Sequence, residues 1–402
     1  MIDRAGGPMP LGLYIHIPFC SAICHYCDFA KTALFDTAGV ANYFGALERH
    51  LKPWLAAAAD AGLMPLTSIF FGGGTPGLFT DELAPLLALA RPHLAANAEI
   101  SLEANPDNVT DAALSSWRDL GFNRLSIGIQ TFSPRGLRFL TRTHGEATAA
   151  DALGRALRFL PNTNADLIYG WPEQTLENWL ADLARCIQLG VPHLSLYHLT
   201  YEPRTPIGRR QLRGRIERQT DEEQAELYEA AATTLSQAGY EQDEVSNWAR
   251  TGFTCAHNWL YWRTQPYLAI GAGAAGFIPL PDAPWGARFR YPAQTAAFSR
   301  LATPHSGSLA TVLMSSGAAV EERGSTEWLL EYVACGLRTR EGIDILKAEA
   351  MTGLRLRPRP VLAEGIARGL VLKTRGGRLE LHPSEWLRET AWSTEVAMSF
   401  AP

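Results

Sequence analysis

Short β-type runs recur through the first half of the chain, each followed by a stretch of helical period. The runs are Leu13–Ile17, Thr67–Phe71, Glu99–Glu103, Arg124–Gly128, Ala165–Ile168 and His193–Tyr197. Breakers close several of them: Pro18, Gly72-Gly73-Gly74, Asn105-Pro106 and Tyr169-Gly-Trp-Pro172. Between the runs, Tyr43–Ala59, Asp81–Ala95, Asp111–Leu120, Ala147–Leu160 and Leu176–Leu189 read as helices. Thr80 and Thr110 stand where N-caps belong, and Gly121 where a C-terminal stop belongs. Strands alternating with helices predict an α/β fold, a parallel sheet curled into a partial (β/α)6 TIM-like barrel. Chemistry in such folds collects at the carboxyl ends of the strands. Cys20, Gly72 to Pro76, Glu103, Gln130 and Asp166 fall there.

The pattern changes after Tyr201. Residues 202–219 are rich in Pro, Gly and Arg and read as a long excursion, followed by a helix over 221–238. A Ser/Gly-rich stretch, 303–317, is the expected boundary. Beyond it, helices over 326–337, 343–351 and 360–368 precede two alternating runs around Gly376-Gly377, a hairpin signal. The expected organisation is therefore a barrel with its excursion over 1–240, a connecting region over 241–305, and a C-terminal helical, winged-helix-like domain over 306–402. Repeats and low-complexity tracts are absent from the sequence.

Composition narrows the class. Of 402 residues, 47% are hydrophobic and 19% charged, which excludes a disordered chain. Six cysteines are too few for a disulfide scaffold. The 36 basic and 41 acidic residues leave a net charge of -5, so no global positive field draws nucleic acid or an anionic membrane. The start, MIDRAGGPMP, has an early acid and no apolar core of leader length. The longest weakly polar run, Leu268–Leu280, contains Pro279 and falls short of the ~20 residues of a membrane span. A cytoplasmic, thiol-reducing location is expected, with at most peripheral membrane contact and no nucleic-acid partner.

In that setting, clustered thiols are metal ligands before they are disulfides. Cys20-Ser-Ala-Ile-Cys24-His-Tyr-Cys27 places three within eight residues, directly after a strand. Thiolates are the usual ligands of iron–sulfur clusters. Three of them on a four-iron cluster leave one iron open, as catalytic metals are. The alternative is a zinc site that adds His25. Cys186, Cys255 and Cys335 stand alone and read as small buried apolar residues.

The CxxxCxxC spacing after a strand resembles the radical S-adenosylmethionine (SAM) superfamily, and Tyr14-Ile-His-Ile-Pro-Phe-Cys20 resembles its group around oxygen-independent coproporphyrinogen III oxidase. The resemblance spans roughly residues 11 to 276. It implies a [4Fe-4S] cluster on Cys20, Cys24 and Cys27, with SAM chelating the open iron and cleaved to a 5'-deoxyadenosyl radical when the cluster is reduced. Gly72-Gly-Gly-Thr-Pro76 would by itself be a tight turn that lets backbone approach a ligand. The resemblance implies that Gly73, Gly74 and Thr75 contact SAM there. It likewise implies cofactor contacts for Tyr14, Tyr26, Glu103, Gln130, Arg142 and Asp166. Taken singly, these residues also suit strand-end caps and surface charges.

Two places separate the members of that group. The decarboxylating oxidase carries another cysteine two residues after the third ligand, where this chain has Phe29. His257-Asn-Trp-Leu-Tyr261-Trp262 resembles the HNxxYW signature of the haem chaperone (HemW) branch. That branch implies haem as a third ligand, delivered to an acceptor haem protein of respiration. Imidazole can be an axial ligand of haem iron. On a helix, His257 and Tyr261 share a face with Trp262 beside them. The alternative for these three is a hydrogen-bonded core histidine with packed aromatics. The alternative for the whole chain is radical catalysis on a porphyrinogen.

Three remaining features are weighed here. Gly271-Ala-Gly-Ala-Ala-Gly276 fits GxGxxG, but Pro279, Pro281 and Pro284 forbid the helix a dinucleotide site needs. Relatives often carry a histidine where Ala275 stands. Arg204, Arg209, Arg210, Arg213, Arg215 and Arg218 suit either a solvated loop or the carboxylates of haem or an acidic partner. Between Met351 and Thr390, eight basic and four acidic residues give an excess of 8 - 4 = +4, without the dense stripe of a DNA-binding face.

Overall fold

The computed structural model describes residues 9–402. The N-terminal segment 1–8, on which most of the leader reading rests, lies outside the described residues. Six parallel strands follow one another in space as in sequence: β1 Leu11–Ile17, β2 Leu66–Gly73, β3 Leu94–Ala104, β4 Arg124–Gln130, β5 Thr163–Tyr169 and β6 His193–His198. Helices α1 Thr37–Asp60, α2 Thr80–Ala90, α3 Asp111–Leu120, α4 Pro134–Phe139, α5 Glu146–Phe159 and α6 Leu176–Leu189 fill the connections. This is the expected α/β architecture.

Alternation along the strands decides which face meets the helices. In β1, Leu13, Ile15 and Ile17 are fully buried in the main core, whereas Tyr14 and His16 take the other face. The same rule aims Ser68, Glu103, Gly128 and Asp166 away from the helices, so the inner face of the curl is polar. Two of the expected caps act as read: Thr110 accepts from Ala113 N at 3.1 Å, and Gly121 at φ 97° ends α3 in the left-handed region. Thr80 does not: it is already the first residue of α2, and its hydroxyl accepts from Trp117 Nε1 at 2.9 Å instead. The helix expected to reach Ala95 stops at Ala90, because Pro92 cannot continue the hydrogen-bond ladder and β3 begins at Leu94.

The 241–305 stretch is not a connector. Its strands β7 Glu241–Glu244 and β8 Asn247–Ala249 extend the sheet beyond β6, while β9 Tyr267–Ile270 lies parallel to β1 at the other edge. Strands β10 Ala275–Leu280, β11 Ala283–Arg290 and β12 Ala319–Glu322 continue that edge in antiparallel fashion. Helices α7 Pro206–Leu212 and α8 Asp221–Gln237 follow β6, and α9 Ala256–Trp262 precedes β9. Helices α10 Thr295–Ser299, α11 Leu309–Ser315 and α12 Ser325–Leu337 come later. The boundary at 303–317 is corrected accordingly: Leu309, Val312 and Leu313 of α11 pack into the main core, because that Ser/Gly-rich stretch still carries an apolar helix face. A second core begins with Trp328 and Leu329 and runs through Val333, Leu362, Leu379 and Trp392 to Phe400. Around it, Ile343–Asp344, Arg378–Leu381 and Val371–Lys373 form a three-stranded sheet in that order. Among the described residues, no helix is long and apolar enough to cross a membrane.

Candidate functional site

The cysteine loop leaves β1 at Pro18 and is pinched at its base. Thr32 N donates to Pro18 O at 2.8 Å, and Cys20 N donates to Thr32 O at 3.0 Å. Cys20 is buried, Cys24 and Cys27 partly exposed. Burial pushes the Cys20 thiol up to about 11; a hydrogen bond from Thr75 opposes this, and the neighbouring Cys27 and Cys24 sulfurs add to it. Cys27 is raised chiefly by burial, and also by Cys24. The three sulfurs are thus within each other's electrostatic reach. Arg142 is clamped above them: it donates to Cys24 Sγ at 3.1 Å, Asn105 Oδ1 at 2.6 Å and Gly128 O at 2.8 Å. Thiolates are the usual donors of iron–sulfur clusters, so Cys20, Cys24 and Cys27, all free and sharing one loop, fit a [4Fe-4S] cluster.

The glycine turn after β2 is stitched to this loop. Gly74 N donates to Ile17 O at 2.7 Å and Thr75 N to Phe19 O at 2.8 Å. Gly73 sits at φ 113°, and a Cβ there would lie 2.3 Å from the His16 ring. Only glycine serves this position. Gly73 N donates to Glu103 Oε2 at 2.9 Å, and Asn105 Nδ2 to Thr75 Oγ1 at 3.1 Å. At the end of β4, Gln130 is buried and held at φ 69°, a costly conformation for a side-chain-bearing residue.

Two inward carboxylates complete the mouth. Burial pushes Glu103 up to about 8, and the Asp166 charge adds to it. Asp166 is raised as well, chiefly by burial, although Ser126 at 3.0 Å and Asn164 at 2.8 Å donate to it. Glu103 has Gly73 N as its partner and no cation opposite it among the described residues. SAM carries an ammonium and a sulfonium, and a cation bound here would favour the ionised form of these raised carboxyls, so the site fits it. His16, which the sequence reading passed over, ties the region together. The Tyr14 hydroxyl is 2.9 Å from His16 Nδ1, and His16 Nε2 is 2.7 Å from Ala30 O beyond the cysteines. Its signal was its place on the polar face of β1.

The HNxxYW segment lies elsewhere. Helix α9 crosses the amino ends of the strands, opposite the cysteines. Glu99, in the middle of β3 and level with Ser68 of β2, caps it, accepting from Ala256 N at 3.0 Å and His257 N at 3.1 Å. Leu260 packs so closely on β1 that a Cβ on Gly12 would meet its Cδ1 at 2.4 Å. His257 is 1% exposed, with Nδ1 2.8 Å from Ser68 Oγ and Nε2 2.8 Å from Tyr261 Oη. Burial lowers it to about 3. The sequence placed both His257 and Tyr261 toward a haem. The structure turns them toward each other, because the i,i+4 spacing lets the phenol reach the imidazole. Trp262 lies under Arg338, 4.2 Å from guanidinium carbon to ring centre. In this structure His257 serves as a floor strut, with both ring nitrogens within hydrogen-bond distance of hydroxyls.

The other candidates are placed as follows. Gly271–Gly276 turns from β9 into β10, and Gly271 is pressed against His16 O. Ala275 is exposed at the start of β10. Phe29 is 70% exposed beside the cysteine loop. The arginine excursion carries α7, unforeseen from its Pro/Gly content, and is tied back to the loop by Arg204–Asp28 at 3.4 Å and Ile207 N to His25 O at 3.2 Å.

Residues 14–186 match the family model of the radical SAM superfamily. The chain is 41% identical over 278 residues to "Heme chaperone HemW" of Escherichia coli K12, covering 68% of this chain and 71% of that protein. It is 33% identical over 366 residues to the protein of the same name in Mycobacterium tuberculosis, covering 89% and 88%. The solved structure of coproporphyrinogen III oxidase (HemN) from E. coli, described as a radical SAM enzyme, superposes with a TM-score of 0.75 at 22% identity over 96% of this chain and 90% of that one. That likeness concerns the fold.

Proposed function

This chain belongs to the HemW haem chaperone branch of the radical SAM superfamily, and from that membership we propose that it holds a [4Fe-4S] cluster and SAM, binds haem, and delivers it to haem proteins. The observation that carries the reading is resemblance along nearly the whole length, 33% identity over 89% of the chain, to a relative named for that activity. The cysteine loop agrees with it. Cys20, Cys24 and Cys27 would hold the cluster, which supplies an open iron for the amino and carboxylate groups of SAM.

The chain's own residues do the rest. Glu103 and Asp166 offer buried negative charge to the cationic cofactor. Arg142 keeps a permanent positive charge against the thiolate of Cys24, where it offsets the charge of a thiolate-bound cluster. His16 and the Gly73–Thr75 turn fix the loop against the sheet, so the sulfurs are placed before anything binds. The acceptor is expected to be a haem protein of the respiratory chain, met in the cytoplasm or at a membrane surface. Phe29 brings no thiol to the site, which favours haem handling over coproporphyrinogen decarboxylation.

Anaerobic reconstitution with iron and sulfide, followed by haem titration and transfer to a haem-free acceptor, tests the proposal. Stoichiometric uptake and transfer support it. A reconstituted chain that takes up no haem overturns it.

A further inference from the structure

Three polar side chains stand in a row across the inner face of the sheet. Asp166 of β5 pairs in register with Ser195 of β6, and Ser195 with Asn247 of β8. Ser195 and Asn247 are buried. Ser195 Oγ lies 2.9 Å from Asn247 Oδ1 and 3.2 Å from Asn164 Oδ1, two acceptors for a hydroxyl that carries one proton. The Asn164 oxygen has a donor of its own: His193 Nδ1 is 2.6 Å away, and burial keeps that imidazole neutral, with its one proton drawn to the nitrogen that faces an acceptor. Tyr197, which also touches Ser195, is kept protonated by burial and supplies a proton rather than taking one. Two claimants remain for the Ser195 proton. One is Asn247 Oδ1. The other is the Asp166 carboxyl, which burial raises and which hydrogen bonds from Ser126, Asn164 and Ser195 pull back down.

What depends on Asn247 lies at the far side of the sheet. Its amide donates to Glu244 Oε1, and the other oxygen of that buried carboxylate takes Arg338 Nε at 2.9 Å and Nη2 at 2.6 Å. Arg338 in turn covers Trp262, the last residue of α9, at 4.2 Å. The turn that carries Arg338 is seated on β7: Val245 N donates to Arg338 O at 3.0 Å, and Arg340 N to Asp243 O at 3.2 Å. An unbroken string of buried polar contacts therefore joins a carboxylate of the barrel mouth to the end of the signature helix.

The string has two arrangements. A protonated Asp166 competes weakly for the Ser195 proton, which then serves Asn247. An ionised Asp166 competes strongly, because hydrogen bonds to a charged acceptor are roughly twice as strong as neutral ones. A cation beside the carboxyl favours its ionised form. We propose that Ser195 couples the SAM site to the signature helix: SAM bound beside Asp166 draws the Ser195 hydroxyl away from Asn247, which slackens the hold of Glu244 and Arg338 on α9. Ser68 and Tyr261 hold both ring nitrogens of His257, so an iron reaches them only as α9 shifts. A slackened α9 therefore takes haem more tightly. The haem part of this coupling rests on the haem-chaperone reading; the response of α9 to SAM does not.

The test uses the reconstituted full chain at saturating SAM and without SAM. Hydrogen exchange over 256–263 and 338–341 is followed by mass spectrometry, and haem is titrated in the same two states. In the wild type, SAM is expected to speed exchange in both segments and to tighten haem binding about tenfold, and haem to tighten SAM binding by the same factor, since coupling is reciprocal. Ser195→Ala leaves Asn247 without its donor in either state. It is expected to show the fast exchange and the tighter haem binding whether or not SAM is present. Ser195→Thr, which keeps the hydroxyl, is expected to restore the response. A response of wild-type size in Ser195→Ala would overturn the proposal, and so would a wild type that binds SAM with no change of exchange in either segment. A wild type that shows the exchange response and binds no haem would defeat the chaperone reading and leave the link from SAM to α9 standing.

Discussion

Ser68 and His257 are 189 positions apart in sequence, yet Ser68 Oγ lies 2.8 Å from His257 Nδ1 in the fold. The bond ties the second strand to the signature helix, and the Tyr261 hydroxyl occupies the other ring nitrogen. Removing the imidazole strands two buried hydroxyls. Each unsatisfied buried group costs about 1–3 kcal/mol, so His257→Ala is expected to lower stability by about 2–4 kcal/mol. Denaturant unfolding of the apo-protein checks this. A loss near zero would mean that the helix is not seated as described.

Glu103 carries a stability penalty that its ligand removes. Its carboxyl, raised to about 8 by burial and by Asp166, stays protonated in the folded state while the unfolded chain has released the proton. Between the ordinary carboxylate range and pH 8, the folded state therefore binds more protons, and stability falls as pH rises through that window. Glu103→Gln is expected to raise the stability of the ligand-free protein at pH 8.5 by at least about 2 kcal/mol, with little change at pH 5. The same variant is expected to bind SAM at least tenfold more weakly. Paired melting curves and SAM titration measure the two opposite effects.

Gly73 admits no side chain. At φ 113°, with the His16 ring in the way, Gly73→Ala combines backbone strain with overpacking and is expected to cost about 2–4 kcal/mol. It also pushes the turn from Glu103 and His16. Iron–sulfur content after reconstitution should fall with it, and retention of both stability and cluster would refute the tight seating of this turn.

Arg338, just past α12, reaches back to the sheet. It donates through Nε at 2.9 Å and Nη2 at 2.6 Å to Glu244 Oε2, a carboxylate 1% exposed, while stacking on Trp262. Arg338→Ala leaves that charge buried with only the Asn247 amide as partner and no cation, a loss of about 3–5 kcal/mol. Replacing both partners with apolar residues should recover most of it. A double-mutant cycle read by unfolding separates the two outcomes.

Phe29 stands where the decarboxylating relatives carry a cysteine. Reduced, reconstituted protein given SAM and coproporphyrinogen III is expected to form no protoporphyrinogen IX, as followed by chromatography. Its appearance would restore the enzyme reading.

The parallel strands and the cysteine loop were legible because alternation and breakers are local signals. Thr110 and Gly121, for example, bracket α3 at the positions read from the chain. What stayed hidden depends on contacts distant in sequence. The HNxxYW spacing says that His257 and Tyr261 share a helix face, but not that Glu99 turns this face into the barrel. The short runs of β7 and β8 are too polar to announce themselves as sheet. His16 shows as one polar residue in an apolar strand, and its reach to Ala30 exists only once the loop has folded back.

Helix α9 also has a consequence for traffic. Jammed against Gly12 and capped by Glu99, it stoppers one end of the curl and leaves the cysteine end as the doorway. Whatever the polar inner face holds must therefore come and go past the cysteines.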